Sequence, residues 1–414
     1  MTRLGGQTPD ASLVAFLVPY LESGELRIVA EAPPTEIDAL DRMLPGLLDR
    51  MQILKLEKFT SDQSKNIVTR AADFFSQNDN VAYGLPAAER THDLFSRFQP
   101  YVAFPGKVIQ FIGNLVDRAP NIRSPEIRSG DVEAGFSDAT GLPDFLIRED
   151  SVLGYESIVA QFEEKLIAQD EAVESVCRLV AKFAAGLNDP NRPIGVLLFC
   201  GLTGVGKTQL VRLLGDFLFP NRPEKERVLR LDMSEYAGYD AAERLLGSQT
   251  GEPSELIRKM RANPFSVLLL DEIENASDEV FDLFLNVFEE GRLTDSLGRL
   301  TSFQSSLIVM TSNLGAGSSG NLGFSNDGET AIREVDRGAV MQFFRPEFFN
   351  RLDQVIYFSP LDRVAIEVIT RKELSDITNR EGLASKNLKL KVDDEVCKFL
   401  AEAGFDPVYG ARPL

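Results

Sequence analysis

The chain is short of histidine, of cysteine and of positive charge, and each shortage removes a class of chemistry. Its one histidine is His92, so neither a serine–histidine–aspartate triad near the motifs below nor a zinc site built on imidazoles is expected. The three cysteines, Cys177, Cys200 and Cys397, lie far apart and read as small core residues in a reducing cytoplasm. Lys and Arg number 44 against 63 Asp and Glu, a formal charge of −19. Nucleic-acid binding needs basic stripes, and no Lys/Arg cluster supplies one. No apolar run approaches the roughly 20 residues of a membrane span, and the opening MTRLGG lacks the apolar core of a secretory signal. A cytoplasmic protein engaging neither membrane nor nucleic acid is expected. Hydrophobic residues make up 43% of the 414, enough for packed cores in two or three domains.

Against these shortages stands one rich stretch, GLTGVGKT at residues 201–208. The pattern G-x-x-x-x-G-K-[ST] is a phosphate-binding loop. Gly201, Gly204 and Gly206 can take positive φ, which lets the successive amides of Thr203, Gly204, Val205 and Gly206 turn toward an anion. Lys207 reaches β- and γ-phosphates, and the Thr208 hydroxyl is a Mg²⁺ ligand. The apolar run GVLLFC before it suits a buried parallel strand. QLVRLLGDFL after it is apolar at helical spacing, so a helix dipole faces the phosphates.

A metal-holding acid belongs at the end of a neighbouring strand. SVLLL at 266–270 is followed by Asp271 and Glu272, where ligands bind in an open α/β sheet. Asp271 is expected to hold Mg²⁺ and Glu272 to polarise a water for in-line attack. A third strand, SLIVM at 306–310, ends in TSN. Asn313 is either a turn residue or an amide beside the attacking water. Of Arg345 and Arg351, in FRPEFFNRLD, nothing bottom-up selects one as catalytic.

The blocks QDEAVE, DPNRPIG, GLTGVGKT, LDMSEY, LLLDEIE, GRLTD, MTSNLG, FRPEFFNRLD and GFDPVYGARPL run in that order from Gln169 to Leu414. This series resembles the second ATPase ring of the AAA+ Clp chaperones, the ClpB/ClpC/ClpA group. The resemblance implies ATP and Mg²⁺ as cofactors, a homo-oligomeric ring (a hexamer in the family), protein substrates, and unfolding or disaggregation as output. It makes Asn313 the sensor-1 residue, Arg351 an arginine finger acting in the neighbouring subunit's site, and Arg412 the sensor-2 arginine. Leu166 and Ile167 match the apolar pair lining the adenine pocket, and the glycine usual after that pair is Ala168 here.

The chain also departs from the family. The aromatic pore loop is expected between Gly247 and Ser266, yet residues 248–260, SQTGEPSELIRKM, are shorter and hold no aromatic. An aromatic grips an extended chain by area and stacking, so weak grip is expected. Tyr236 and Tyr239, nearby, read as packing or surface residues. Arg412 should open a helix, but two residues follow it, which implies a truncated lid. Leu322, Gly323 and Phe324 resemble the tip by which some Clp ATPases dock on a peptidase ring; a patch folded onto its own domain is the alternative.

The expected architecture is α/β: an AAA+ P-loop parallel sheet with a truncated C-terminal helical lid, preceded by a partial α/β plus helical module. Residues 1–118 resemble the later half of a first AAA+ module without its Walker motifs, with a helix, then GELR, then the sensor-1 strand. Residues 119–140 read as linker, 141–358 as the ATP-binding domain and 359–414 as the lid, with a strand at 388–392. The resulting expectation is a Clp-type unfoldase ATPase. The alternatives are a non-threading scaffold that uses ATP for assembly, and an inactive Clp fragment.

Overall fold

The computed structural model describes residues 13–32, 37, 40–41, 46–79, 81–100, 102–119, 126–148, 154–247, 253–296, 298–315, 337–378, 392–406 and 410–414. Its centre is a parallel sheet of five strands: β1 Gly195–Cys200, β2 Val228–Asp232, β3 Ser266–Asp271, β4 Ser306–Ser312 and β5 Gln354–Tyr357. Their order across the sheet is β2-β3-β4-β1-β5. Parallel neighbours require crossovers, and the crossover helices cover both faces. The side-chain period of two therefore serves two cores. Leu197 and Phe199 face one, with Val176 and Leu214 of helices Asp170–Ala184 and Lys207–Leu218. Val196, Leu198 and Cys200 face the other, with Phe284 and Phe288 of helix Asp278–Glu290. This is why residues 195–200 form an unbroken apolar run. Each large side chain so buried contributes about 1.5–3 kcal/mol.

Register decides where the site lies. Leu198 pairs with Met310, and Met310 with Leu270. The C-terminal ends of β1, β4 and β3 thus finish level, and the loops leaving them open on one edge.

The N-terminal third is mainly helical among its described residues. Helices Ser61–Asp79, Leu85–Phe98, Gly106–Arg118 and Ser129–Thr140 join the first of the two cores. Phe98 is the contact: its ring meets Phe136, Phe183 and Phe265. Arg97 donates to the carbonyls of Phe183 and Ala184, and the Ser305 hydroxyl donates to the Phe98 carbonyl.

Two expectations for this third are corrected. Residues 129–140, expected within a linker, form a helix in which Val132 and Phe136 are buried. Polar and small residues mask this i,i+4 pair in the sequence, and burial against Phe95 and Phe98 decides the outcome. The Asp131 carboxylate accepts from the Arg128 N–H at the helix start, and Gly141, at φ 73°, ends it. The sensor-1 strand expected after GELR does not form: residues 26–32 have no strand structure, and Val29 is fully exposed. A strand gains its stability from a paired neighbour, and among the described residues none lies beside it. The helix expected before it is present at Leu13–Glu22.

Helices Arg363–Thr378 and Asp394–Ala403 form the lid around a small core of Leu361, Ala365, Ile366 and Ala401. The strand expected at 388–392 lies, but for Val392, outside the described residues. Among the described residues no helix is long and apolar enough to cross a membrane.

Ala168 adopts φ 58°, a left-handed conformation costing a residue with a Cβ about 1–2 kcal/mol. Glycine removes that cost but adds chain entropy to the unfolded state, roughly 0.4–1 kcal/mol. Ala168→Gly is therefore expected to stabilise the fold by about 0.5–1 kcal/mol, seen as a rise in the urea midpoint. An unchanged or lowered midpoint would contradict it.

Candidate active site

The glycine loop joins β1 to helix Lys207–Leu218 along the open edge of the sheet. Gly204 and Gly206 sit at φ 76° and 111°, as the motif requires of residues without a Cβ. A Cβ on Gly206 would also lie 2.9 Å from Leu166 Cδ1, and one on Gly201 2.8 Å from Phe358 Cβ. The loop is thus pressed between the turn that carries Leu166 and the residue that follows β5. Val205 is buried; Thr203 and Thr208 are partly exposed.

Lys207 is 8% exposed. Its Nζ donates to the carbonyls of Gly201 (2.6 Å) and Leu202 (3.0 Å) and to Asn313 Oδ1 (2.8 Å). Burial lowers its pKa to about 8, against the opposing influence of Glu274, Cys200, Asp271 and Glu272. Desolvation of an ammonium therefore outweighs the carboxylates around it.

The acidic side is set by β3 and β4. Asp271 Oδ1 accepts from the Thr311 hydroxyl (2.5 Å), and Oδ2 pairs with Arg230 Nη2 (2.6 Å). Glu272 takes φ 56°, a strained backbone for a residue with a Cβ. Its N–H donates to Thr311 Oγ1 (3.0 Å), which holds the turn against β4. Its carboxylate accepts from Asn275 Nδ2 (3.0 Å) and, more loosely, Asn313 Nδ2 (3.5 Å).

Asn313 is where the two halves meet. Its side chain bonds Lys207 on one side and Glu272 on the other, and its N–H donates to Glu274 Oε1 (2.8 Å). The other oxygen of Glu274 is buried without a hydrogen-bond partner. Sequence reasoning missed Glu274, although it stands two residues after Glu272 in the turn Ile273–Asn275. It also missed Arg230 and Thr311, whose roles arise only from strand neighbourhood.

Other expected site residues lie outside this cluster. Leu166 is buried against the loop, whereas Ile167 packs into the lid core. Arg351 is turned onto its own domain, with Nη2 2.6 Å and Nε 3.0 Å from Glu289 Oε2. Arg345 pairs with Asp278 and Asp282. Arg412 is exposed, but the turn carrying it rests on the loop: the Ala411 N–H donates to the Gly204 carbonyl (3.3 Å). Gly410, at φ 58°, lies so close that a Cβ would be 2.7 Å from the Thr203 carbonyl oxygen.

Of residues 248–260, those at 248–252 lie outside the described residues. Helix Glu255–Ala262 begins within the remainder, with Leu256, Ile257 and Met260 buried. Tyr236 packs beneath Arg244, and Tyr239 is 97% exposed. Leu322, Gly323 and Phe324 lie outside the described residues.

Known proteins resemble this chain in sequence and in fold. Residues 192–355 match the AAA domain (Cdc48 subfamily), and residues 361–414 the C-terminal D2-small domain of ClpB protein. The chain is 35% identical to the chaperone protein ClpB of Meiothermus ruber, covering 95% of this chain and 49% of that protein. It is 40% identical to the ClpE ATP-binding subunit of Bacillus subtilis (strain 168), over 66% of this chain and 40% of that protein. Hsp104 solved in a closed state with ATPγS and FITC casein superposes with a TM-score of 0.76 at 27% identity, covering 99% of this chain and 71% of that one. The S. cerevisiae Hsp104–ADP complex gives 0.76 at 26%, with the same coverage. The chain spans about half the length of the ClpB relatives it matches. With its glycine loop, parallel sheet and lid all in place, the chain belongs to the AAA+ Clp ATPase family.

Proposed function

We propose that this chain binds Mg-ATP and hydrolyses it at the boundaries between subunits of a ring, a hexamer by likeness to its relatives, and uses the turnover to unfold or remodel other proteins. One observation carries the reading: Asn313 bridges the buried ammonium of Lys207 to the carboxylate of Glu272. The cation for the phosphates and the base for water are thus held within one amide of each other.

The residues fit the nucleotide and its metal. Two loop glycines stand at positive φ, and a helix start lies behind the loop. Thr208 and Asp271 would hold Mg²⁺, which typically takes one or two protein ligands and fills its shell with phosphate oxygens and water; bound there, it would neutralise charge developing on the phosphates. Asp271 must exchange Arg230 for that role, and Arg230, with 57% of its side chain exposed, is free to turn away. Lys207 leaves the Gly201 and Leu202 carbonyls for phosphate oxygens. Glu272 accepts the proton of the attacking water, and Asn313 keeps that water in line. Arg351 exchanges Glu289 for the phosphates of the adjacent subunit. Leu166 and Ile167 would line the adenine pocket, and Arg412 would reach phosphate as the lid closes.

Protein substrates are proposed from the casein named with the Hsp104 neighbours, and a cytoplasmic setting from the three free cysteines. Leu322 to Phe324 are proposed as an anchor for a peptidase ring. A second reading, ATP-driven assembly without threading, is favoured by the missing aromatic in residues 248–260. Unfolding of a tagged fluorescent protein separates the two.

Glu272→Gln is expected to lower ATP hydrolysis by about 100-fold or more while a fluorescent ATP analogue still binds. Retained turnover would sink the assignment of the base. Specific activity should rise with protein concentration in the unaltered chain and stay flat and low in Arg351→Ala; full turnover by a monomer would refute action across subunits. Lys207, with its pKa at about 8, is charged below that pH, and an anion binds the charged form. Analogue affinity should therefore hold up to about pH 8 and weaken by up to about tenfold for each further pH unit. Affinity that stays flat to pH 9.5 would contradict this.

A further inference from the structure

Residues 164–169 join helix Tyr155–Glu163 to helix Asp170–Ala184, and both ends of this turn are tied to other elements. Gln169 is 3% exposed. Its Nε2 donates to the carbonyls of Val205 (3.2 Å) and Ser359 (2.8 Å), and its Oε1 accepts from the Ser359 N–H (2.9 Å). Val205 belongs to the phosphate loop. Ser359 lies between β5 and Leu361, where the lid core begins. At the other end, Lys372 of the lid helix donates to the carbonyls of Glu164 (3.1 Å) and Lys165 (2.8 Å).

Between these ties the side chains divide. Leu166 packs on Gly206 of the loop, and Ile167 enters the lid core. Ala168 holds its left-handed backbone in the middle, a strain that persists only where the surroundings over-determine it. A buried amide with three bonds to the backbone of two separate elements has one geometry, and either element can move alone only by leaving buried polar groups unpaired.

We propose that Gln169 is a positioning residue that fixes the phosphate loop to the first residues of the lid, so that nucleotide at the loop and the attitude of the lid change together. This rests on the nucleotide reading above and adds to it the route by which the lid senses occupancy.

The test is hydrogen–deuterium exchange of the full chain with and without a non-hydrolysable ATP analogue, with analogue affinity and melting temperature measured in parallel. In the unaltered chain the analogue should slow exchange at residues 201–218 and also at 359–378. Gln169→Glu keeps an acceptor for the Ser359 N–H and loses both donated bonds. It should retain protection of the loop while the response at 359–378 falls by about threefold or more. Lys372→Ala alters a partly exposed side chain and leaves the core intact; it should uncouple in the same direction and more weakly.

A wild-type lid response in both variants overturns the proposal. So does a loss of loop and lid responses in parallel with a lowered melting temperature, which marks a merely structural role. If the unaltered chain binds no analogue, the nucleotide reading fails and this inference with it. If it binds and the variants respond as it does, this inference alone fails.

Discussion

The bond between Lys207 Nζ and Asn313 Oδ1 is the interaction on which the rest of the site depends. A buried ammonium is costly unless its donors are engaged. Here two loop carbonyls and the Asn313 amide engage them. Lys207 thereby spans the loop from within, and β4 is tied to the loop after β1. Glu272 and Glu274 then take their places around Asn313. The strained backbone of Glu272 is kept by Thr311 beneath it, so the proposed base is aimed by a neighbouring strand.

This arrangement requires three strand ends to finish level, and the sheet supplies that through burial on both faces. Slipping one strand by a single residue would exchange the residues serving the two cores. Leu197 and Phe199 would then trade places with Leu198 and Cys200, at the cost of repacking both sides. The N-terminal helices stiffen one of those sides, because Phe98 and Phe136 share a core with Phe183 and Phe265. The N-terminal helices thus contribute to the rigidity of the sheet that carries the phosphate loop.

The cations around the site divide by burial. Lys207 is buried, whereas Arg230, Arg345 and Arg351 are partly exposed and paired with carboxylates of their own domain. Exposed ion pairs such as Arg345–Asp282 contribute little to stability, typically about 0–1 kcal/mol; Arg230–Asp271 and Arg351–Glu289 each have one mostly buried member and exchange partners where a new charge replaces the old one. That suits groups whose proposed work begins only when metal, phosphate or a second subunit arrives.

Much of this was legible in the sequence. The loop, the acidic pair after 266–270 and the lid helices follow from local rules: glycine where φ is positive, carboxylates at a strand end, apolar residues at helical spacing. Helix 129–140 was not legible, since its two apolar anchors acquire meaning only against Phe95 and Phe98. Nor was the empty place of the strand expected after GELR, because pairing is a property of neighbours. Glu274, Arg230 and Gln169 were equally silent. Each acts through a partner distant in the chain (Asn313, Asp271, Ser359), and such pairs are chosen by the order β2-β3-β4-β1-β5 rather than by spacing. Residue types that stand side by side in the chain specify which chemistry it can hold. The side chains that aim that chemistry are selected by packing, because they meet only across the sheet and the lid.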